Sequence, residues 1–264
     1  MAEVKSFREL QVTSSQIEIR KIRLSDLWQS LKEGYDDFNE KPSFGVFLVV
    51  IYPLSALLLT QFLLSDNLPY LAFPLVAGCT LLGPVVSVAL FEMSRRREAG
   101  LELSWRSAFE FVHSSAFAPI AALSIMIMLL YVAWVFMAEF MYFGLFGIDP
   151  PTSISDFGHQ LISTRRGAAL IMYGTVVGFI FAFTTLAISV VAFPLLLDKP
   201  ASSATAIATS FRAVFANPLV MAVWGMLVVA LLAAGALLFL VGLAAVLPIL
   251  GHATWHLYRK VVES

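Results

Sequence analysis

The sequence predicts an all-α polytopic membrane protein, and three observations carry that prediction. Its long apolar runs, Phe44 to Leu64 and Ala116 to Met137 among them, match the roughly 20 residues that a helix needs to cross a hydrocarbon core. Composition agrees: of 264 residues, 59% are hydrophobic and 13% charged, and the mean hydropathy is +0.84, outside the balance of a soluble domain. Lys and Arg, in turn, collect on one side of those runs. Because the runs are continuous instead of alternating, helices that satisfy their own backbone groups are preferred to a barrel.

Six spans are predicted near Phe44 to Leu64, Leu68 to Phe91, Ala116 to Met137, Ala168 to Leu195, Ala213 to Leu232 and Ala236 to Tyr258. Between Pro218 and Gly251 there is no charge, so the last turn falls near Gly235 or near Gly242, or one long kinked helix replaces the pair. Six spans put every Lys and Arg except Arg165 and Arg166 on the side of the two termini, the bias expected when both ends are cytoplasmic. A five-span chain would carry Arg259 and Lys260 outside and weaken that bias. Residues 1–43 form a polar segment without the apolar core and cleavage site of a secretory signal, and are expected to be retained. Residues 44–258 form the membrane domain and 259–264 a short cytoplasmic tail.

Three short amphipathic stretches precede the first, third and fifth spans. They carry Leu27, Trp28, Leu31, Tyr35 and Phe38, then Trp105, Ala108, Phe109 and Val112, then Ala204, Ile207, Ala208, Phe211 and Phe215, all at helical spacing. Ser25, Ser104 and Ser203 stand where N-caps would begin these helices. The predicted unit is an interfacial helix followed by a helical hairpin, repeated three times. Pro84, Phe91 and Arg95 align with Pro248, Trp255 and Arg259 at the ends of two hairpins. The interfacial helices either anchor the protein in the headgroup layer or offer a partner a docking surface.

Few residues could carry chemistry. His252 and His256 are the pair with ligand-like spacing, four apart on one helix face, but the Glu of a zinc-protease motif is missing and one face cannot ligate a single haem from both sides. They either bond locally near Trp255 and Tyr258 or serve a metal or proton role. His113 and His159 lie at other depths. Glu139, near the outer end of the third span, is either solvated at the interface or an intramembrane functional carboxylate. Glu92 is placed to pair with Arg95 to Arg97. Cys79 is the single cysteine, which excludes an intrachain disulfide. Gly174 and Gly178, spaced as GxxxG, allow close helix approach within or between subunits. Phosphate-binding loops, nucleophile elbows and paired intramembrane carboxylates are absent from the sequence, so no catalytic residue and no cofactor is assigned.

The segments IRKIRLSDLWQSLKEGYDDFNEKP, LLGPVVSVALFEMSRRRE and VLPILGHATWHLYRKV, with NPLVMAVWGMLVV, resemble bacterial integral membrane proteins of domain-of-unknown-function family 2189. The resemblance extends over nearly the whole chain, and the ending from Pro248 to Arg259 is its most specific part. It implies a six-helix protein of the bacterial inner membrane and brings no established activity. Some members are labelled as a cytochrome c oxidase subunit, yet this chain has too few intramembrane His residues for two haems and copper. The expected role is that of a noncatalytic accessory or scaffold protein whose partners are the lipid bilayer, other membrane proteins or further copies of itself, with no nucleic acid. A transporter or channel for a small or apolar solute is the main alternative, and a His-ligated electron-transfer protein the third.

Overall fold

The computed structural model describes residues 13–40, 69–104, 106–147, 151, 153–237 and 242–263. Among these, regular structure is helical: α1 (Leu24–Glu40), α2 (Pro69–Cys79), α3 (Gly83–Val86), α4 (Val88–Glu98), α5 (Phe117–Phe146), α6 (Ile154–Ser163), α7 (Arg165–Ser189), α8 (Ala192–Asp198), α9 (Ser203–Ala216), α10 (Pro218–Leu237) and α11 (Leu243–Val261). Short 3-10 helices cover Ser14–Gln16, Thr80–Leu82 and Ser107–His113. Four stretches are long and apolar enough to cross a membrane: Tyr70–Glu98, Phe117–Phe146, Arg165–Asp198 and Pro218–Leu237. They correspond to the second through fifth predicted spans. The first, Phe44 to Leu64, lies outside the described residues, as does Trp105.

Boundaries differ from the sequence reading for local reasons. The fifth span starts at Pro218, not Ala213, because α9 continues to Ala216 and Asn217 caps it. Proline is well placed at the first helical position, where its missing N–H would have had no partner. α10 ends at Leu237 and α11 begins at Leu243, and α11 is not among the four apolar stretches because its last turns carry His252, His256, Arg259 and Lys260. Of the three amphipathic stretches, α1 and α9 are α-helices, whereas the middle one is the 3-10 helix Ser107–His113. Its start is tied reciprocally: Ser104 Oγ accepts from Ser107 N at 3.2 Å, and Ser107 Oγ accepts from Ser104 N at 2.9 Å. Ser202, not Ser203, caps α9 by accepting from Thr205 N at 3.1 Å. Ser25 lies inside α1, whose first turn is closed by Asp26 Oδ2 accepting from Arg23 N at 2.6 Å.

The described residues fall into two compact units. The first combines Met1–Val50, Pro84–Ile125 and Leu186–Ser264. Its centre is the packing of α1 on α11, with α4 against α11. The face of α1 that is buried runs through Leu27, Ser30, Leu31, Gly34 and Asp37, while Trp28 and Tyr35 stay exposed. The apolar stripe, read from sequence as either a membrane anchor or a docking surface, is therefore split between packing within the protein and its surface. Burying Leu27 and Leu31 contributes about 1.5–3 kcal/mol each. As α1 advances from Glu33 to Asp37, its partners on α11 step back from Lys260 to His252, so the two helices run antiparallel.

Both ends of the described chain meet in this unit. Ile19 and Val262 form an antiparallel bridge, Arg20 N donates to Val261 O at 2.8 Å, and Glu263 N donates to Glu18 O at 3.2 Å. Asn217, 4% exposed, holds the N-terminal strand with both ends of its amide: Oδ1 accepts from Ile22 N at 2.9 Å and Nδ2 donates to Arg20 O at 3.0 Å.

The second unit comprises Ile51–Gly83 and Met126–Thr185. Its described core is aromatic: Tyr70 stacks on Tyr142 at 4.2 Å, Phe146 and Phe157 pack on Tyr142, and Trp134 meets Phe181 edge-on. Trp134 Nε1 donates to Pro74 O at 2.7 Å. Among the described residues, a Cβ at Gly174 would meet nothing within 4 Å, and one at Gly178 would meet only the Trp134 ring. Close approach occurs in the first unit, where the backbone of Ala253 meets Gly34 and the Leu90 side chain meets Gly251.

Candidate functional site

The His pair and the polar face of α1 build one buried network in the first unit. His252 and His256 lie a helical turn apart on α11, and Asp37 on α1 reaches between them. His256 Nε2 donates to Asp37 Oδ2 at 2.9 Å, and its Nδ1 stands 3.6 Å from Glu33 Oε2. Ser94 Oγ on α4 donates to Asp37 Oδ2 and lies 2.8 Å from His252 Nδ1. Arg97 adds a guanidinium that pairs with both Asp37 and Glu40. Lys260 closes the other end on Glu33 at 2.6 Å.

Burial raises the energy of a charged Asp37, but hydrogen bonds from His256 and Ser94, the charge of His256 and a bond from Arg97 outweigh it and hold the carboxyl at about 2, below the ordinary 3.8. Asp37 is thus an anion that receives every donor around it. Ser, His and Asp together invite comparison with a hydrolytic triad, yet Ser94 bonds Asp37 directly and is 1% exposed, so no substrate carbonyl can reach it. Among the described residues, no group of three His, Cys, Asp or Glu side chains is arranged to hold a metal ion.

A second layer of ion pairs joins the same helix ends. Glu98 on α4 accepts from Trp255 Nε1 at 3.1 Å and Arg259 Nε at 3.0 Å. Tyr258 OH donates to Asp198 at the end of α8 at 2.6 Å. Glu92 takes Arg95 at 2.7 Å and Arg96 at 3.5 Å, the pairing the sequence suggested. Arg95, Arg96 and Arg97 in the last turn also complement the negative end of the α4 dipole. Gly100, at φ 66°, then lets the chain leave the helix while Leu101 N returns to Arg96 O at 2.9 Å.

Glu139 does not join this network. It is half-buried on α5, seven residues before the helix ends, and no ion pair to it occurs among the described residues. The 30 residues of α5 extend about 45 Å against a core of about 30 Å, so a centred helix sets Glu139 near the hydrocarbon edge. Sequence reading had found His252 and His256 but not Asp37, Ser94 or Arg97, their partners. The available signal was Gly34 between Ser30 and Asp37, which marks a second, partly polar face of α1.

Four helical stretches long and apolar enough to cross a membrane define the class, a polytopic integral membrane protein. Residues 72–198, just under half of the chain, match the model of the family described as predicted integral membrane protein (DUF2189). The matched stretch contains LLGPVVSVALFEMSRRRE, while the segments before the first span and after Pro248 fall outside it. No curated protein and no solved structure matches the chain.

Proposed function

We propose that this protein is a noncatalytic accessory or scaffold protein of bacterial inner-membrane complexes, crossing the bilayer six times with both termini cytoplasmic. The observation that carries the noncatalytic part is the closure of the polar network: the side chains of Asp37 and His252 are 3% and 4% exposed and are spent on Ser94, His256 and Arg97. Groups so engaged hold helix ends together and leave none free for a substrate. Exposed apolar side chains such as Phe136, Phe140, Phe179 and Ile180 give the spans broad faces for lipid or for partner membrane proteins. Crosslinking pull-down of the tagged protein from native membranes is expected to recover another membrane protein in fixed ratio. Recovery of the protein alone would count against the scaffold reading.

Contacts between helix ends support this topology: Asp37 pairs with Arg97, and Ile19 bridges Val262, which fits α1, the end of α4 and the end of α11 on one side of the bilayer. The first proposed span, Phe44 to Leu64, lies outside the described residues. Asn217, just before α10, bonds the segment that pairs with Val261, which brings the start of α10 to the end of α11. This supports an even number of crossings, and six if the α10–α11 hairpin reaches the far side. With Cys79 replaced by serine, a cysteine at Ala236 is expected to react with a membrane-impermeant thiol reagent from outside, and one at Ser14 from inside. Protection of position 236 from the outside would leave a re-entrant hairpin in place of two spans.

A further inference from the structure

The second unit contains a cavity of about 540 Å³ walled by α2, α5, α6 and α7. That volume falls within the roughly 300–1,000 Å³ of small-ligand sites. Tyr70, Phe73, Trp134, Phe157 and Phe181 supply most of an apolar wall, and Glu139 is not part of it although Ala138 and Met141 beside it are. Three polar side chains in the wall bond backbone carbonyls: Trp134 Nε1 on Pro74, Thr80 Oγ1 on Ala77 at 2.6 Å, and Thr175 Oγ1 on Ile171 at 2.8 Å. Donors satisfied in this way ask for no polar ligand, which leaves the phenols of Tyr70 and Tyr142, stacked on each other at 4.2 Å, as the other polar side chains of an otherwise apolar wall. Gly174 and Gly178 keep the α7 wall open, and the space over Gly174 is clear to 4 Å.

We propose that this cavity binds one hydrocarbon chain of a membrane phospholipid. Three of the four walls belong to stretches apolar and long enough to cross the bilayer, so the surrounding medium is itself acyl chain. An empty space of this size forfeits dispersion contacts on all its walls, and an acyl chain restores them without a hydrogen bond. A ligand rich in polar groups would find few partners in that wall, where among the described residues the side-chain donors not bonded to a carbonyl are the Tyr70 and Tyr142 hydroxyls.

The test uses the full chain purified in mild detergent with a phospholipid bearing a diazirine on its acyl chain. Photolysis and peptide mapping are expected to place adducts on Trp134, Phe181 and their neighbours inside the cavity. Gly174→Leu, whose β-carbon has free space among the described residues, should not lower the unfolding temperature and should reduce those adducts roughly tenfold, the factor that displacing one or two methylenes gives. Ala77→Leu, from the opposite wall, serves as a second filler should the first variant fail to fold. Adducts spread over outward residues such as Phe136, Phe140 and Ile180, and unchanged by either filler, would mean ordinary annular lipid and overturn the proposal. Preferential capture of a photoreactive isoprenoid quinone over the phospholipid would overturn it equally.

Discussion

Asp37→Ala is expected to lower the stability of the protein by about 3 kcal/mol, because removing one member of a buried charged pair strands the others. His256, Ser94 and Arg97 all donate to this carboxylate, and its side chain is 3% exposed. Arg97 keeps 38% of its side-chain surface in solvent, which places the cost at the lower end of the range for buried pairs. For a chain of this size the apparent unfolding temperature in detergent should fall by roughly 6–12 °C. The pH dependence has a definite sign. The folded carboxyl titrates at about 2 and the unfolded one at 3.8, so its stabilising contribution is complete above 3.8 and fades as pH falls towards 2. The gap between wild type and Asp37→Asn should therefore be constant at neutral pH and close below about pH 4. A gap that is absent at neutral pH would remove Asp37 from the centre of the fold.

Gly34→Ala is the second large effect, and its sign is diagnostic. In an unpacked helix, alanine stabilises relative to glycine by up to about 1 kcal/mol. Here the added β-carbon would stand 2.5 Å from Ala253 N and 2.8 Å from Ala253 Cα. Backbone atoms cannot swing aside, so α1 must move off α11 and loosen the Asp37 network with it. A loss of about 3 kcal/mol is expected, at the upper end for overpacking. Gly174→Ala provides the contrast, since its β-carbon meets nothing and the helix-propensity gain should remain. Thermal unfolding of the two variants side by side separates the outcomes; a stabilised Gly34→Ala would show that the helices are not in contact there.

The membrane-spanning character was legible because it depends on summed hydropathy, which needs no knowledge of neighbours. Tyr70–Glu98, Phe117–Phe146 and Arg165–Asp198 were each located within a few residues to about ten at each end by that sum alone. Helix ends were less legible. Ser202 and Ser203 both qualify chemically as the cap of α9, and only backbone geometry selects the first. The GxxxG pair on α7 shows why packing is harder to read: small residues permit close approach without causing it, the partner surface decides, and among the described residues nothing stands within 4 Å of a Cβ at Gly174.

The candidate site shows the same division. Spacing alone put His252 and His256 on one face of one helix. Nothing in the spacing linked them to a residue more than 200 positions earlier, and Asp37 reads in sequence as one more solvated charge of an amphipathic helix. Its neighbours Asp36 and Asn39 are indeed exposed. What the sequence by itself determined was the class of protein and the helical state, since each is a local or additive property of the chain. Only the tertiary structure decided that α1 packs on α11 and that the segments at Ile19 and Val262 meet. It also decided that the His pair closes on Asp37 and that an apolar cavity lies over Gly174, because each depends on which surfaces meet across long separations in sequence.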